Sequence, residues 1–391
     1  MSEVRVDNLS NENLGGPTLS GITTYSSKHF FVPPVGDTGS RPQSCPSGSL
    51  RFNTDSKHLE YYRGDTIGWV EIEAELTAPL GGGTGSNTGL GHRGLYKTSQ
   101  KAPSSGTYSQ EIDFLTISTL GNAQDFGNLT AAHARGSAVG SRVRGVRAGG
   151  QDGSNTINII ESVTFATTGN ASNFGDLNNT PMFPAPMSNG VRGLFAGGYT
   201  PSNIDVIDYI TIAEDGNAVD FGNLSFARNR TAGVESTTRG LIGGGAVPSP
   251  SPFDEGGNMI DYITIATTGN SVDFGDLTIA KFAFEAAGSA TRGIFSCART
   301  APSGGVMNTI DFVTIATLGN AQDFGDATQT RGSTAAFSSP TRFVSGNGFT
   351  PSLTNTIDFV EIATTGNAKD FGDMTHAPNN ASGCSNGHGG L

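Results

Sequence analysis

The chain has 391 residues, 56 of them Gly, and carries a net charge of −12 with 15% charged residues. Low charge with abundant Gly, Ser, Thr and Asn suits short strands joined by tight turns and excludes a helical bundle. An acidic balance without a basic stripe excludes nucleic acid, whose binding rests on phosphate neutralisation, and no apolar run reaches the length of a membrane span.

Taken in chain order, the Met1-Ser2-Glu3 start lacks the basic and apolar regions of a secretory signal, so synthesis in the cytoplasm is expected. Residues 1–47 are rich in Gly, Pro, Ser and Thr and read as an extended arm ordered mainly by contact with something else. Residues 48–76 read as a compact β-meander of three short strands, 49–53, 59–63 and 69–72, separated by turn sequences at 54–57 and 64–68. Residues 77–90 contain Leu80-Gly81-Gly82-Gly83-Thr84-Gly85-Ser86 and read as a flexible linker.

From residue 91 to residue 391 one motif recurs six times. One copy reads Ile310-Asp311-Phe312-Val313-Thr314-Ile315-Ala316-Thr317-Leu318-Gly319-Asn320-Ala321-Gln322-Asp323-Phe324-Gly325. Its Gly-Asn glycine falls at Gly121, Gly169, Gly216, Gly269, Gly319 and Gly366, at intervals of 47 to 53 residues. That period exceeds the roughly 33–34 residues of ankyrin and TPR units and fits the ~40–50 residues of a four-stranded propeller blade. The fifth unit shows the four strands: 283–287, 292–295, 310–315 and the segment around Asp323-Phe324. The third strand is apolar on both faces, as a sheet sandwiched between neighbours requires. Residues 91–129 supply only three strands, and 381–384 looks like the missing first one. The two chain ends are therefore expected to complete one blade and leave no open sheet edge. The fold expected is all-β: a six-bladed propeller over 91–391, preceded by the arm and the meander.

Two resemblances follow from these residues. Each core is preceded by Arg93-Gly94-Leu95, Arg144-Gly145-Val146, Arg192-Gly193-Leu194, Arg239-Gly240-Leu241, Arg292-Gly293-Ile294 or Arg342-Phe343-Val344. Paired glycines then end the second strand at Gly149-Gly150, Gly197-Gly198 and Gly243-Gly244, which resembles the kelch family. The fifth and sixth copies carry Ser296-Cys297 and Ser345-Gly346 there, and no Trp follows Trp69, both departures from the kelch pattern. The phrase from Gly48-Ser49-Leu50-Arg51-Phe52 through Leu59-Glu60-Tyr61-Tyr62 to Gly68-Trp69-Val70 resembles a module of tail-fibre, appendage and other virion proteins of tailed bacteriophages. Together they resemble virion structural proteins of marine phages, especially cyanophages. The resemblance implies a non-enzymatic virion protein made in the host cytoplasm. Residues 1–76 would anchor it to other virion proteins, with a homo-oligomer as one way of doing so, and the propeller would be displayed for adhesion to a host glycan or protein, or as capsid decoration.

The repeated polar residues invite chemical readings. Asp113, Asp208, Asp261, Asp311 and Asp358 share a register, with Asn158 taken as the second copy. A carboxylate ring around a metal is one reading; a local hydrogen bond repeated in every blade is favoured. Arg93, Arg144, Arg192, Arg239, Arg292 and Arg342 read as an anion-binding ring or, preferably, as partners of the Asp in a neighbouring unit. Asp-Phe-Gly at 125–127, 220–222, 273–275, 323–325 and 370–372 reads as a core aromatic followed by a turn. The six His are scattered, and Cys45, Cys297 and Cys384 have neither disulfide nor zinc spacing. No catalytic residue, cofactor or metal site is assigned, and no ligand-binding residue is singled out. Connections between second and third strands, at 97–110, 151–155, 199–203, 246–258, 299–308 and 348–355, vary most and form the natural recognition face. The alternative is a polysaccharide-processing propeller enzyme, depolymerase or sialidase-like, which demands a clustered carboxylate pair and aromatic subsites. An intracellular kelch adaptor would require a partner domain.

Overall fold

The computed structural model describes residues 33–43, 45–56, 58–72, 92–97, 108–153, 155–247, 256–300, 305–350 and 352–391. The chain divides into two compact units, Met1–Thr77 and Ala78–Leu391. Among the described residues the elements are strands apart from one 3-10 turn at Gly256–Asn258, and no helix is long and apolar enough to cross a membrane.

In the smaller unit Leu50–Asn53, Leu59–Tyr62 and Trp69–Ile72 form the expected antiparallel meander. A fourth strand, Val35–Gly36, pairs parallel to Leu50–Asn53 with Val35 opposite Phe52. This corrects the reading of residues 1–47 as an arm throughout: its last part is integral to the small sheet, because a side-chain network holds it there. Glu60, fully buried, accepts from Arg41 Nη2 at 2.6 Å and lies 3.2 Å from Arg51 Nε. Burial works against ionisation of Glu60, but the bonds from Arg41 and Asn53 outweigh it and lower the carboxyl pKa. Trp69 Nε1 donates to the Pro42 carbonyl at 2.9 Å, and its ring packs 5.4 Å from that of Tyr62. Residues 1–32 and 77–90 lie outside the described residues.

The larger unit contains six four-stranded antiparallel sheets built on one plan, an arrangement consistent with a β-propeller-like fold. The second sheet runs Ser137–Gly140, Arg144–Ala148, Ile159–Thr164 and Ser172–Asp176. The third runs Ala185–Ser188, Arg192–Tyr199, Asn203–Thr211 and Val219–Asn223, and the fourth Ala232–Glu235, Arg239–Gly243, Met259–Thr264 and Val272–Asp276. The fifth is Glu285–Gly288, Arg292–Thr300, Val306–Thr314 and Gln322–Arg331, with Lys281–Phe282 as a short extra strand. The sixth is Ala335–Ser338, Arg342–Gly346, Thr356–Glu361 and Lys369–Asp373. The first sheet joins the two ends of the unit: Ser382–Ser385 pairs antiparallel with Arg93–Lys97, followed by Glu111–Thr116 and Gln124–Asn128.

Every sheet carries the same irregularity. The register between third and fourth strands slips at the repeated acid, so that Ile112 faces Gly127 while Asp113 faces Asp125. Phe126 is the extra residue, a β-bulge that turns its ring into the core at 2% exposure. The Asp-Phe-Gly tripeptide is thus a bulge signature. Six hydrophobic clusters form the core, and each draws on two consecutive sheets. One joins Phe174 and Ile160 of the second sheet to Phe195 and Ile210 of the third, and another joins Tyr96 and Leu115 of the first to Phe337 and Phe359 of the sixth. Apolar residues on both faces of each third strand are thereby covered on both sides.

The glycine pairs also find their reason. Positive φ falls at Gly149 and Gly150, Gly197 and Gly198, and Gly244 and Gly245, one residue later in the fourth sheet than the expected Gly243-Gly244. In the fifth sheet Cys297, the second residue of the Ser296-Cys297 pair, takes the left-handed conformation, and in the sixth positive φ falls at Asn347 and Gly348, beyond Ser345-Gly346. At Gly150 a Cβ would lie 2.2 Å from the Ala134 carbonyl oxygen, so this position has no room for a side chain.

Candidate binding face

Three sets of repeated residues tie each sheet to the next. The Gly-Asn turn of one repeat docks on the fourth strand of the preceding one. Asn170 Oδ1 accepts from Asn128 N at 3.0 Å and Ala171 N donates to Asn128 O at 2.7 Å. The same pair of bonds recurs in every sheet, and from the first to the sixth: Asn122 Oδ1 accepts from Asp373 N at 3.0 Å and Ala123 N donates to Asp373 O at 2.8 Å.

The Arg residues act as the second tie. Arg93 Nη1 donates to Phe165 O at 2.6 Å, Arg144 to Ile212 O at 3.1 Å, Arg192 to Ile265 O at 3.1 Å and Arg239 to Ile315 O at 3.1 Å. Arg292 reaches Ile362 O at 2.7 Å, and Arg342 reaches Ile117 O at 3.2 Å. Each guanidinium also lies over an aromatic ring of its own sheet, as Arg292 does over Phe312 at 4.5 Å. Their partners are backbone carbonyls of the next repeat, which corrects the expected pairing with a neighbour's repeated Asp. The geometric reason is that the Arg opens the second strand beside the C-terminal end of the next third strand, where carbonyls have no intrasheet partner. Arg144 alone adds an acid of the next repeat, Asp215 at 2.7 Å, and Asp215 is a turn residue outside the repeated register.

The repeated acids are the third tie, and here too the sequence register needs correction. Glu161, opposite Arg147, occupies the acidic position of the second sheet, and Asn158 instead donates from Nδ2 to Leu177 O at 3.3 Å. Each acid accepts from the preceding repeat: Asp208 from Asn178 at 2.8 Å, Asp261 from Ser225 at 2.7 Å, Asp311 from Thr278 at 2.6 Å and Asp358 from Thr328 at 2.7 Å. Glu161 accepts from Thr130, and Asp113 from Thr375 of the sixth repeat. Buried cations join four of them: Arg228 to Asp261 at 3.0 Å, Lys281 to Asp311 at 2.8 Å, Arg331 to Asp358 at 2.8 Å and, more loosely, Arg147 to Glu161 at 3.9 Å. Burial works against ionisation of Glu161, yet His133, Thr130 and Arg147 together hold its carboxyl at about 2. Asp113 and Asp208, without such a cation, are pushed up by burial. These carboxylates are spread over six sheets and committed to hydrogen bonds, which is structural work and not the chemistry of a paired acid and base. Among the described residues no group of three or more His, Cys, Asp or Glu is placed to hold a metal.

The connections between second and third strands share one end of the unit, because first strands start and second strands stop there. Of the expected recognition loops, 199–203 is described throughout, whereas 98–107, 154, 248–255, 301–304 and 351 lie outside the described residues. Tyr199 is 37% exposed at this end, and Tyr108 Oη reaches the Gly153 carbonyl at 3.0 Å.

The first strands of all six sheets line a narrow central cavity of about 30 Å³, too small for a sugar ring. His388 seals it at the end away from the loops. Its Nε2 lies 2.9 Å from Gly140 O and 3.2 Å from Ser188 Oγ, and its Nδ1 lies 2.6 Å from Glu235 Oε1. Cys384 lines the same cavity; it and Cys297 are buried free thiols, while Cys45 in the small unit is half-buried. Sequence reasoning left His388 among scattered histidines, since only the pairing of Ser382–Ser385 with Arg93–Lys97 brings it to this cavity. It also missed a set of residues at the loop end that share a backbone conformation and no side-chain type. Arg135, Phe183, Arg230, Ala283, Ser333 and Asn380 have φ between 54° and 63°. Each of the last five donates its N–H to the carbonyl of the one before it, at 2.7 to 3.3 Å. The signal available was a constant offset from the Gly-Asn glycine.

Compared with known proteins, the chain matches no family model, and no curated protein matches it.

Proposed function

We propose that the six sheets are the blades of a closed, kelch-like six-bladed propeller, and that the protein is a structural protein of a tailed-phage virion. Residues 1–76 attach it to other virion proteins, and the propeller presents its loop end for adhesion to a host-surface glycan or protein, or as decoration. One observation carries the reading. The Arg, acid and Gly-Asn contacts each run from one sheet to the next and return from the sixth sheet to the first. Repeated polar chemistry committed in this way supports a rigid carrier, and the sequence freedom that remains lies in loops at one end, the division of labour of a display module. The phage assignment is supported by the resemblance of the meander and of the glycine-paired repeat.

Immunogold electron microscopy of purified phage particles, with an antibody against residues 91–391, tests the reading. Label at tail tips or side fibres favours adhesion and label over the head favours decoration. Unlabelled intact particles, with the protein abundant in the infected lysate, would overturn it. Deletion of residues 1–90 is expected to abolish incorporation while leaving a soluble propeller.

A further inference from the structure

Three arginines, Arg135, Arg230 and Arg299, are neighbours at the loop end of the larger unit, and none of them is ion-paired among the described residues. Arg135 and Arg230 belong to the positive-φ set, and their guanidinium carbons stack on one ring, Phe183, at 5.7 and 4.7 Å. Arg299 lies over Phe349 at 5.2 Å, its stem so close to Gly332 that a Cβ there would meet it at 2.7 Å. Burial lowers the Arg230 pKa, and the positive charges of Arg135 and Arg299 lower it further, as expected of three neighbouring cations.

Their donors are poorly used. Arg135 Nη1 donates to Gln151 Oε1 at 2.7 Å and approaches Met182 Sδ at 3.8 Å. The Nε atoms of Arg135 and Arg299 are buried without an acceptor, and none of the ion pairs among the described residues involves any of the three. Glu285 and Arg230 both line a second cavity of about 30 Å³ at the starts of the first strands, and burial raises the Glu285 pKa well above the usual carboxylate range. On a protein of net charge −12, this is a local positive site with planar donors held by aromatic stacking.

We propose that Arg135, Arg230 and Arg299 form an oxyanion-binding site at the loop end of the larger unit, beside the cavity that Arg230 lines, taking the sulfate or carboxylate group of an acidic ligand. The site rests on the larger unit alone and holds whether or not the protein belongs to a virion.

The test is thermal unfolding of the full-length protein in sodium sulfate, sodium acetate and sodium chloride at equal ionic strength. Sulfated and carboxylated oligosaccharides then serve as titrants in calorimetry. Sulfate or acetate is expected to raise the melting midpoint above that in chloride, and the series that binds tighter identifies the source of the oxyanion. Arg230→Gln, and Arg135→Gln with Arg230→Gln, are expected to abolish the anion-specific rise, while Arg63→Gln in the smaller unit keeps it. Arg230→Lys preserves the charge without the planar fork and should weaken binding about tenfold, which keeps the proposal testable if the double variant does not fold. Equal midpoints in all three salts for the wild type, or an undiminished rise in folded Arg230→Gln, would overturn it.

Discussion

Two glycines with nearly the same backbone separate the contribution of sheet-to-sheet docking from that of conformation. Gly121 and Gly127 have φ of 146° and 147°. A Cβ at Gly121 meets nothing within 4 Å, whereas one at Gly127 would lie 2.3 Å from the carbonyl oxygen of Gly169 and 2.5 Å from its carbon. Ala at either position carries the same conformational cost, on the order of 1–3 kcal/mol. At Gly127 the turn of the second repeat must also back away from the fourth strand of the first. That movement breaks Gly169 N to Phe126 O at 2.8 Å, Ala171 N to Asn128 O at 2.7 Å and Asn128 N to Asn170 Oδ1 at 3.0 Å. At about 1 kcal/mol for each bond, Gly127→Ala should cost about 3 kcal/mol more than Gly121→Ala. Guanidinium unfolding followed by far-UV circular dichroism measures the difference. Fluorescence of Trp69, the one Trp and part of the smaller unit, serves as an internal reference. Equal losses in the two variants would show that docking at the bulge glycine adds nothing and would refute the account of how the sheets are joined.

Other expectations follow from the same contacts. Gly372, whose added Cβ would meet Gly121 O at 2.6 Å, makes the contact between the sixth and first repeats, so Gly372→Ala should match Gly127→Ala in cost; a near-neutral effect in the same unfolding assay would argue against ring closure. Removing residues 382–391 deletes the strand paired with Arg93–Lys97, and size-exclusion chromatography should show aggregation through the bared edge. Glu161, held at about 2 against a usual 4.5, contributes stability that is fully present above pH 4.5 and is lost as pH falls toward 2. Glu161→Gln should therefore cost about 3 kcal/mol at pH 7 and progressively less in acid, a convergence that unfolding curves at several pH values will show or refute. Burial lowers Lys97 to about 8, and its Nζ has no hydrogen-bond partner among the described residues. Because the unfolded chain keeps that proton until about pH 10.4, Lys97 opposes folding fully below pH 8 and progressively less as pH rises from there to about 10.4. Lys97→Met should raise the melting midpoint at pH 7, with the gain fading between pH 8 and 10.

Legibility in the sequence followed how local each cause is. The six third strands, such as Ile310-Asp311-Phe312-Val313-Thr314-Ile315, announce themselves because a strand covered on both faces must be apolar at nearly every position. The Gly-Asn turns and the Asp-Phe-Gly bulges recur with the period because each needs particular backbone freedom at a fixed place. These local demands determined the all-β class, the number of repeats and the role of the C-terminal strand. Partners across sheets could not be read in the same way. A repeated Arg and a repeated Asp suggest each other by charge, yet the Arg sits at the end of its strand and meets carbonyls of the next repeat, while the acid lies behind the bulge and meets Thr, Ser or Asn of the preceding one. Glu161 escaped because the second repeat substitutes a longer acid with its own buried partners, His133 and Arg147. Arg135 and Arg230 carried the least signal of all, since Arg135, Phe183, Arg230, Ala283, Ser333 and Asn380 share a backbone conformation and no chemistry. The sequence by itself determined which segments are strands and how often they recur, since those depend on neighbours along the chain. The tertiary structure alone decided which side chains meet at the central cavity, because that depends on residues from six repeats arriving at one place.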